Sequence, residues 1–242
     1  MKFLGLKNPL SERGFFSGLI ELPKDRAHWS ITLLFILLAY LLSFWIRLEW
    51  IEFAQANYID ESGEVQYLRP DMVRGGVALP NTHDSFYFGS ILQKGHLGLH
   101  QDNHLIPSVM KNGMITYLPY LLLEAFPSLD IEQLLLWLPV YVAGFVCIPI
   151  VLIGRLYGSS LWGFFAACLA GITHSYYNRT LAGYYDTDMF SITIPAFSLY
   201  FLVSACRRNS IHYALFAALS LYLYNFFYSS GQAITASLAV GF

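Results

Sequence analysis

Charge is the first thing this sequence is short of. Only 12% of its 242 residues are Asp, Glu, Lys or Arg, about half the share of an ordinary soluble domain. A soluble surface of this size cannot be dressed with so little charge, which argues against a free-standing soluble protein. Cysteine is scarce as well. Cys147, Cys168 and Cys206 form no C-x-x-C pair, so a thiolate metal site or redox centre has no ligands, and the three read as small apolar fillers. The sequence has no internal repeat, no low-complexity linker and no basic stripe of the kind that tracks nucleic acid. It also has no convincing signal peptide, because its first apolar core begins late, runs too long and is followed by no small-residue cleavage site. That segment is expected to stay as an anchor.

What is present is apolar sequence, 56% of the chain, gathered into long stretches. Five read as membrane spans, at about 28–48, 131–153, 161–177, 189–206 and 211–228. A sixth begins near Gln232 and is cut at Phe242. About 11 residues rise only about 16 Å as a helix, against a hydrocarbon core of roughly 30 Å. The expected fold class is therefore all-α: a polytopic transmembrane helical bundle, here a truncated N-terminal piece of a larger protein. Gly113–Phe126 is also apolar, but it is short and carries Pro119 and Glu124. It is expected to be an interfacial helix on the external surface rather than a seventh span.

Lys and Arg placement sets the orientation. With the N-terminus in the cytoplasm, the inner segments hold Lys2, Lys7, Arg13, Lys24, Arg26, Arg155, Arg207 and Arg208 against only Glu12, Glu21 and Asp25. The outer segments hold six basic residues, Arg47 and Arg179 among them, against the other thirteen acids. One external face then carries the loop 49–130 and the turns around Asp186 and Ser229.

Two motifs on that face carry chemistry. The first is Ser175-Tyr176-Tyr177-Asn178-Arg179-Thr180-Leu181-Ala182-Gly183-Tyr184-Tyr185-Asp186-Thr187-Asp188, an arginine and a D-x-D pair between two apolar segments. Carboxylates at a bilayer boundary are costly unless they face water, a metal or a partner. In an extended or turn segment, residues i and i+2 point the same way. The second is Asn81-Thr82-His83-Asp84-Ser85, which follows Pro80 and opens a helical stretch to about Lys94. Asp84 either caps that helix or joins Asp186 and Asp188 across the face. Three converging carboxylates repel one another and settle around a cation, and hard oxygen ligands favour Mg²⁺ or Mn²⁺. Arg179 either snorkels to lipid phosphates or braces a carboxylate or diphosphate. His83 and His174 read as hydrogen-bonded surface groups. His96, His100 and His104 have one-face spacing, but Gly95, Gly98 and Pro107 argue against a rigid helix there. Asn178-Arg179-Thr180 has the form of a glycosylation acceptor but lies too close to a span to serve as one.

The run from Ser175 to Asp188 closely resembles the second external loop of the single-subunit oligosaccharyltransferases, the bacterial and archaeal relatives of the eukaryotic catalytic subunit. Asn81–Gly89 is similar to their first external loop. The resemblance covers most of the chain, with about twenty-five residues carrying its specific part. It implies the membrane fold of the C-type glycosyltransferases. It also implies transfer of an oligosaccharide from a polyprenyl diphosphate carrier onto asparagine in N-x-Ser/Thr sequons. By motif position, Asp84 binds Mn²⁺ or Mg²⁺ and contacts the acceptor amide. Asp186 is a second ligand, Asp188 supports the metal from beside it, Arg179 acts near metal and diphosphate, and Tyr228 contacts the lipid-linked donor. The implied partners are that donor, an acceptor polypeptide and the bilayer, with no nucleic acid. The implied location is a bacterial inner membrane with the site on the external, periplasmic face. The family's later external glutamate and its soluble W-W-D motif are missing from this sequence, so the piece alone is expected to be inactive. Two other readings compete, another C-type transferase using a polyprenyl-phosphate sugar and a cation transporter with an acidic rim.

Overall fold

The structure is a computed structural model that describes residues 25–99 and 105–241. His100, His104 and the basic residues before Asp25 lie outside the described residues. In chain order the helices are α1 Trp29–Gln55, α2 His83–His96, α3 Met114–Ala125, α4 Ile131–Ala143, α5 Cys147–Leu156, α6 Ser160–Ile172, α7 His174–Asn178, α8 Asp188–Ser191, α9 Thr193–Arg208, α10 Ile211–Phe227 and α11 Gln232–Gly241. Three segments are long and apolar enough to cross a membrane: 29–55, 131–156 and 188–208. The chain is thus an integral membrane protein built mainly of helices.

Helix α1 shows how the sequence sorts its faces. Thr32, Ala39, Ser43, Arg47 and Ala54 are buried, a stripe at helical spacing. Leu33, Leu37, Leu41 and Trp45 on the other side are exposed, which suits hydrocarbon rather than water. The buried stripe is made mostly of small residues, and that lets backbones approach closely. Gly171 of α6 lies so near that a Cβ there would sit 3.1 Å from Ser43 Cβ. Helices α5 and α6 cross more tightly still, since a Cβ on Gly154 would fall 2.4 Å from Gly163 Cα. The pair α9 and α10 forms an antiparallel hairpin, turned by Asn209 in the left-handed region (φ 46°) and joined by Ser198 and Ser220 hydroxyls at 2.8 Å.

Several boundaries differ from the sequence reading. Helix α1 continues past residue 48 to Gln55, so Arg47, expected on the external side, is a helical residue buried in the bundle. The expected span 161–177 is broken at Thr173 (φ −57°, ψ 124°). The Thr173 hydroxyl donates to Leu169 O at 2.8 Å, competing with helix continuation, and the chain turns into the separate short helix α7. The span 131–153 changes to one 3₁₀ turn at Gly144–Val146, just where Pro149 has no N–H to bond back to residue 145.

The loop after α1 is not all helix. Two short antiparallel hairpins pair β1 Asn57–Ile59 with β2 Val65–Tyr67 and β3 Val73–Arg74 with β4 Val77–Ala78. Helix α3 fills the expected 113–126 segment. At 12 residues it is about 18 Å long, too short to cross. It rests on a core of Phe88, Leu92, Ile115, Leu123, Leu135, Tyr185, Met189 and Phe190. That core underlies both sequence motifs and sets their height relative to the helices.

Candidate active site on the loop face

The first motif is held by backbone geometry. Thr82 caps α2, its Oγ1 accepting from Ser85 N at 3.1 Å. The capping role considered for Asp84 therefore belongs to Thr82. Asp84 stands in the first turn, exposed, with no hydrogen bond among the described residues. Beside it, Ser85 is buried and clasps the second motif. Its hydroxyl donates to Gly183 O at 2.9 Å and accepts from Tyr185 N at 2.8 Å. Asn81 adds two bonds, N–H to Gly183 O at 3.0 Å and Nδ2 to Ala182 O at 3.3 Å. Gly183 meets this docking at φ 79°, where a side chain is strained, and a Cβ there would lie 3.1 Å from Leu79 O. Asp84 precedes one half of the clasp and Asp186 follows the other, so the clasp brings the two loops' acids together.

The two acids of D-x-D have different surroundings. Asp186 Oδ1 accepts from Thr187 N at 2.6 Å and Thr187 Oγ1 at 3.1 Å. Burial raises its carboxyl above the usual value of 3.8. The charges of Asp188 and Asp84 add to the rise, and the Thr187 bonds oppose it. Asp188 opens α8, and its Oδ2 is 2.6 Å from Arg179 Nη1; Arg179 is 61% exposed and Asp188 13%. Thr187 has helical dihedrals (φ −58°, ψ −19°), so strand alternation does not place the two acids on one side. The Tyr184 phenol is pushed up first by burial and then by Asp186, Asp188 and Asp84, with Arg179 opposing. Asp84, Asp186, Asp188 and Arg179 thus all lie within electrostatic reach of Tyr184.

Among the described residues, no three His, Cys, Asp or Glu side chains are gathered into a ready-made metal cage. The donor set nonetheless fits a hard divalent cation. Asp84 and the Oδ2 of Asp186 have no hydrogen-bond donor among the described residues and are oxygen donors of the kind such a cation takes. Asp188 is already paired with Arg179.

The remaining candidates are also placed. His83 is exposed. His174 Nε2 is 3.0 Å from Asn178 Nδ2, a surface hydrogen bond. His96 Nδ1 is 3.5 Å from Glu124. Tyr228 follows α10 and stacks on Tyr224 at 5.7 Å between ring centroids. Tyr224 in turn donates to Ser191 O at 2.9 Å, which links Tyr228 to α8.

Sequence reading missed Ser85, Tyr185 and Arg47. Tyr185 is fully buried and donates its hydroxyl to Ile115 O, tying the acidic loop to α3. Arg47 is 0% exposed. Its Nε donates to Thr180 O at 3.1 Å and Thr180 Oγ1 at 3.0 Å, its Nη2 to Thr180 Oγ1 at 2.8 Å, and its Nη1 to Ser43 O at 2.8 Å and Gly171 O at 3.0 Å. Thr180 is the residue after Arg179, so α1 fixes the base of the arginine loop. The one signal for Arg47 was an arginine close to the end of an apolar run.

Residues 111–240 match the family model "Oligosaccharyl transferase STT3, N-terminal". Over 203 residues the chain is 30% identical to an undecaprenyl-diphosphooligosaccharide–protein glycotransferase of Campylobacter jejuni subsp. jejuni serotype O:2, covering 84% of this chain and 26% of the relative. A counterpart from a second Campylobacter jejuni strain is 31% identical with the same coverage. A dolichyl-phosphooligosaccharide-protein glycotransferase of Methanococcus voltae is 32% identical over 101 residues, 39% of this chain and 11% of that relative. The chain spans about a quarter of the length of the Campylobacter relatives. With the family match extending over more than half of its residues, the chain belongs to the oligosaccharyl transferase STT3 family.

Proposed function

We propose that this chain forms the N-terminal part of the membrane portion of an enzyme that moves an oligosaccharide from a polyprenyl diphosphate carrier to asparagine in N-x-Ser/Thr sequons. The observation that carries this reading is the Ser85 clasp. It ties the loop that carries Asp84 to the loop that carries Arg179, Asp186 and Asp188, which supports a shared site in a chain of this family. Asp84 and Asp186 hold Mg²⁺ or Mn²⁺, with Asp188 bracing from the side through Arg179. When bound, the cation neutralises charge on the departing diphosphate.

The chain's own residues then have separate tasks. An amide nitrogen is a poor nucleophile because its lone pair is delocalised into the carbonyl. Asp84, exposed and unbonded among the described residues, accepts an N–H of the acceptor amide and pulls the nitrogen away from planarity. The new bond joins that nitrogen to the anomeric carbon of the sugar. The carbon–oxygen bond to the diphosphate breaks, and the amide proton leaves to a carboxylate or to water. Arg179, largely exposed beyond its Asp188 contact, offers its remaining N–H groups to phosphate oxygens. Tyr228 contacts the donor from the outer end of α10. The charge asymmetry of the sequence supports an external position for this face, and the family resemblance supports a bacterial inner membrane.

The test is transfer to a fluorescent N-x-Thr peptide by membranes from cells expressing the full-length gene together with a lipid-linked oligosaccharide. We expect a glycopeptide whose formation stops with a chelator and returns with Mn²⁺ or Mg²⁺, and which Asp84→Asn and Asp186→Asn both abolish. Product that survives the chelator and both substitutions would sink the reading.

A further inference from the structure

At the other end of the bundle, three helix ends leave a cleft of about 280 Å³. Trp29 comes from the start of α1, Arg155 from the end of α5, and Tyr200, Arg207 and Arg208 from α9. Asp188 lies just before α9 and the two arginines lie in its last turn, so roughly 30 Å of helix separates this cleft from the acidic loops.

Its charge is unbalanced. Among the described residues three guanidinium groups line the cleft with one carboxylate, Asp25, and that carboxylate is committed. Asp25 Oδ2 accepts from Ser160 N at 2.7 Å and from the Ser160 hydroxyl, and it pairs with Arg155 Nη1 at 3.6 Å. Arg155 is fixed further by Ala27 O at 2.9 Å and by the Trp29 ring, 4.1 Å from its guanidinium carbon. Arg207 and Arg208 have no carboxylate partner among the described residues. Arg207 lies over the Tyr157 ring at 5.7 Å, and Arg208 donates to Tyr213 Oη at 2.8 Å. Arginines at a helix C-terminus can serve the helix dipole alone, yet neither of these donates to a backbone carbonyl among the described residues. Two positive charges with no carboxylate partner among the described residues thus line the cleft.

The geometry points to a phosphate-binding site, filled by the headgroup of an anionic phospholipid. Basic pockets between membrane helices at the headgroup level suit such lipids, and the guanidinium fork matches phosphate oxygens in pairs. The apolar walls Leu152 and Leu156 suit a lipid's glycerol and acyl portion and have no use for free phosphate. The inference rests on membrane insertion and not on the transfer reaction.

The chain, purified in neutral detergent, is titrated with phosphatidylglycerol, phosphatidylcholine or inorganic phosphate, and retained ligand is read by native mass spectrometry. Phosphatidylglycerol is expected to bind selectively. Arg207→Gln/Arg208→Gln should weaken it roughly 10- to 30-fold. Arg69→Gln/Arg74→Gln, which removes equal charge from the loop face, should leave it unchanged. Both arginines of the cleft are exposed, so matching circular dichroism is expected and confirms that the variant is folded. Equal weakening by the two double variants, or equal retention of phosphatidylcholine, overturns the site. Inorganic phosphate binding as tightly as phosphatidylglycerol overturns the lipid assignment.

Discussion

Replacing Arg47 by Met removes a side chain that joins α1, the end of α6 and the arginine loop. Two of its partner segments lie outside its own helix, at Gly171 and Thr180. A hydrogen bond to a charged group contributes about 1.5–3 kcal/mol, so these two contacts are worth about 3–6 kcal/mol. Orphaning their carbonyls adds to the loss, while relieving the guanidinium of its burial gives part of it back. A net cost of about 3 kcal/mol remains. At about 2–4 °C per kcal/mol for a chain of this size, Tm should fall by roughly 6–12 °C. Arg47→Lys keeps the charge but loses the planar fork whose separate nitrogens reach Thr180 and Gly171, so about half the loss is expected. The assay is thermal unfolding in detergent followed by circular dichroism, with trypsin as a local probe, because Arg179 is an exposed cleavage site next to Thr180. Arg47→Met should speed cleavage after Arg179 more than at Arg69 in the hairpin region. A Tm within 2 °C of the parent, or equal acceleration at both sites, would refute the claim that Arg47 holds this loop.

Three further outcomes follow from the same geometry. Ser85→Ala strips the buried Tyr185 N–H of its acceptor, a cost of about 2 kcal/mol, so Tm should drop roughly 4–8 °C; an unchanged Tm would show that the clasp is not formed. Burial, then Asp188 and Asp84, raise the Asp186 carboxyl above 3.8, so the stability it confers is full below that value and is lost as pH rises through the raised folded value. In metal-free buffer the parent's Tm should therefore decline across that window, Asp186→Asn should flatten the profile, and Mg²⁺ at neutral pH should raise Tm in the parent only; a flat parent profile speaks against it. Cys206, exposed at the end of α9, should react with a membrane-impermeant maleimide only after cells are permeabilised, and labelling of intact cells would reverse the proposed orientation.

Much of the frame was legible because it depends on local sequence. Apolar runs located the long helices, and Pro80 announced the start of α2, although the cap expected at Asp84 falls to Thr82. The D-x-D motif stood out by its position between two such runs. What escaped depends on residues far apart in the chain. Ser85 meets Gly183 and Tyr185 across 98 and 100 residues, and nothing around Ser85 signals those partners. The strands at 57–78 are two or three residues long and largely exposed, so they leave no alternating pattern to read. The break at Thr173 falls where the apolar run gives way to Thr173-His174-Ser175, a short polar stretch that was absorbed into the expected span. The ion pair between Arg179 and Asp188 follows from the short helix α8, which folds the second acid of the motif back toward the arginine.

The buried arginine also constrains how the protein is made. Helix α1 leaves the ribosome long before its partners, since Gly171 and Thr180 lie 124 and 133 residues further along. At about 5–20 residues per second, translating that interval takes roughly 7–27 s. During that wait, Arg47 is a charge on a lone helix entering the bilayer. Its place near the end of the apolar run lets its side chain reach the headgroup layer until the later helices arrive. Moving the same charge to the middle of α1 would obstruct insertion itself, even if every native contact could still form afterwards.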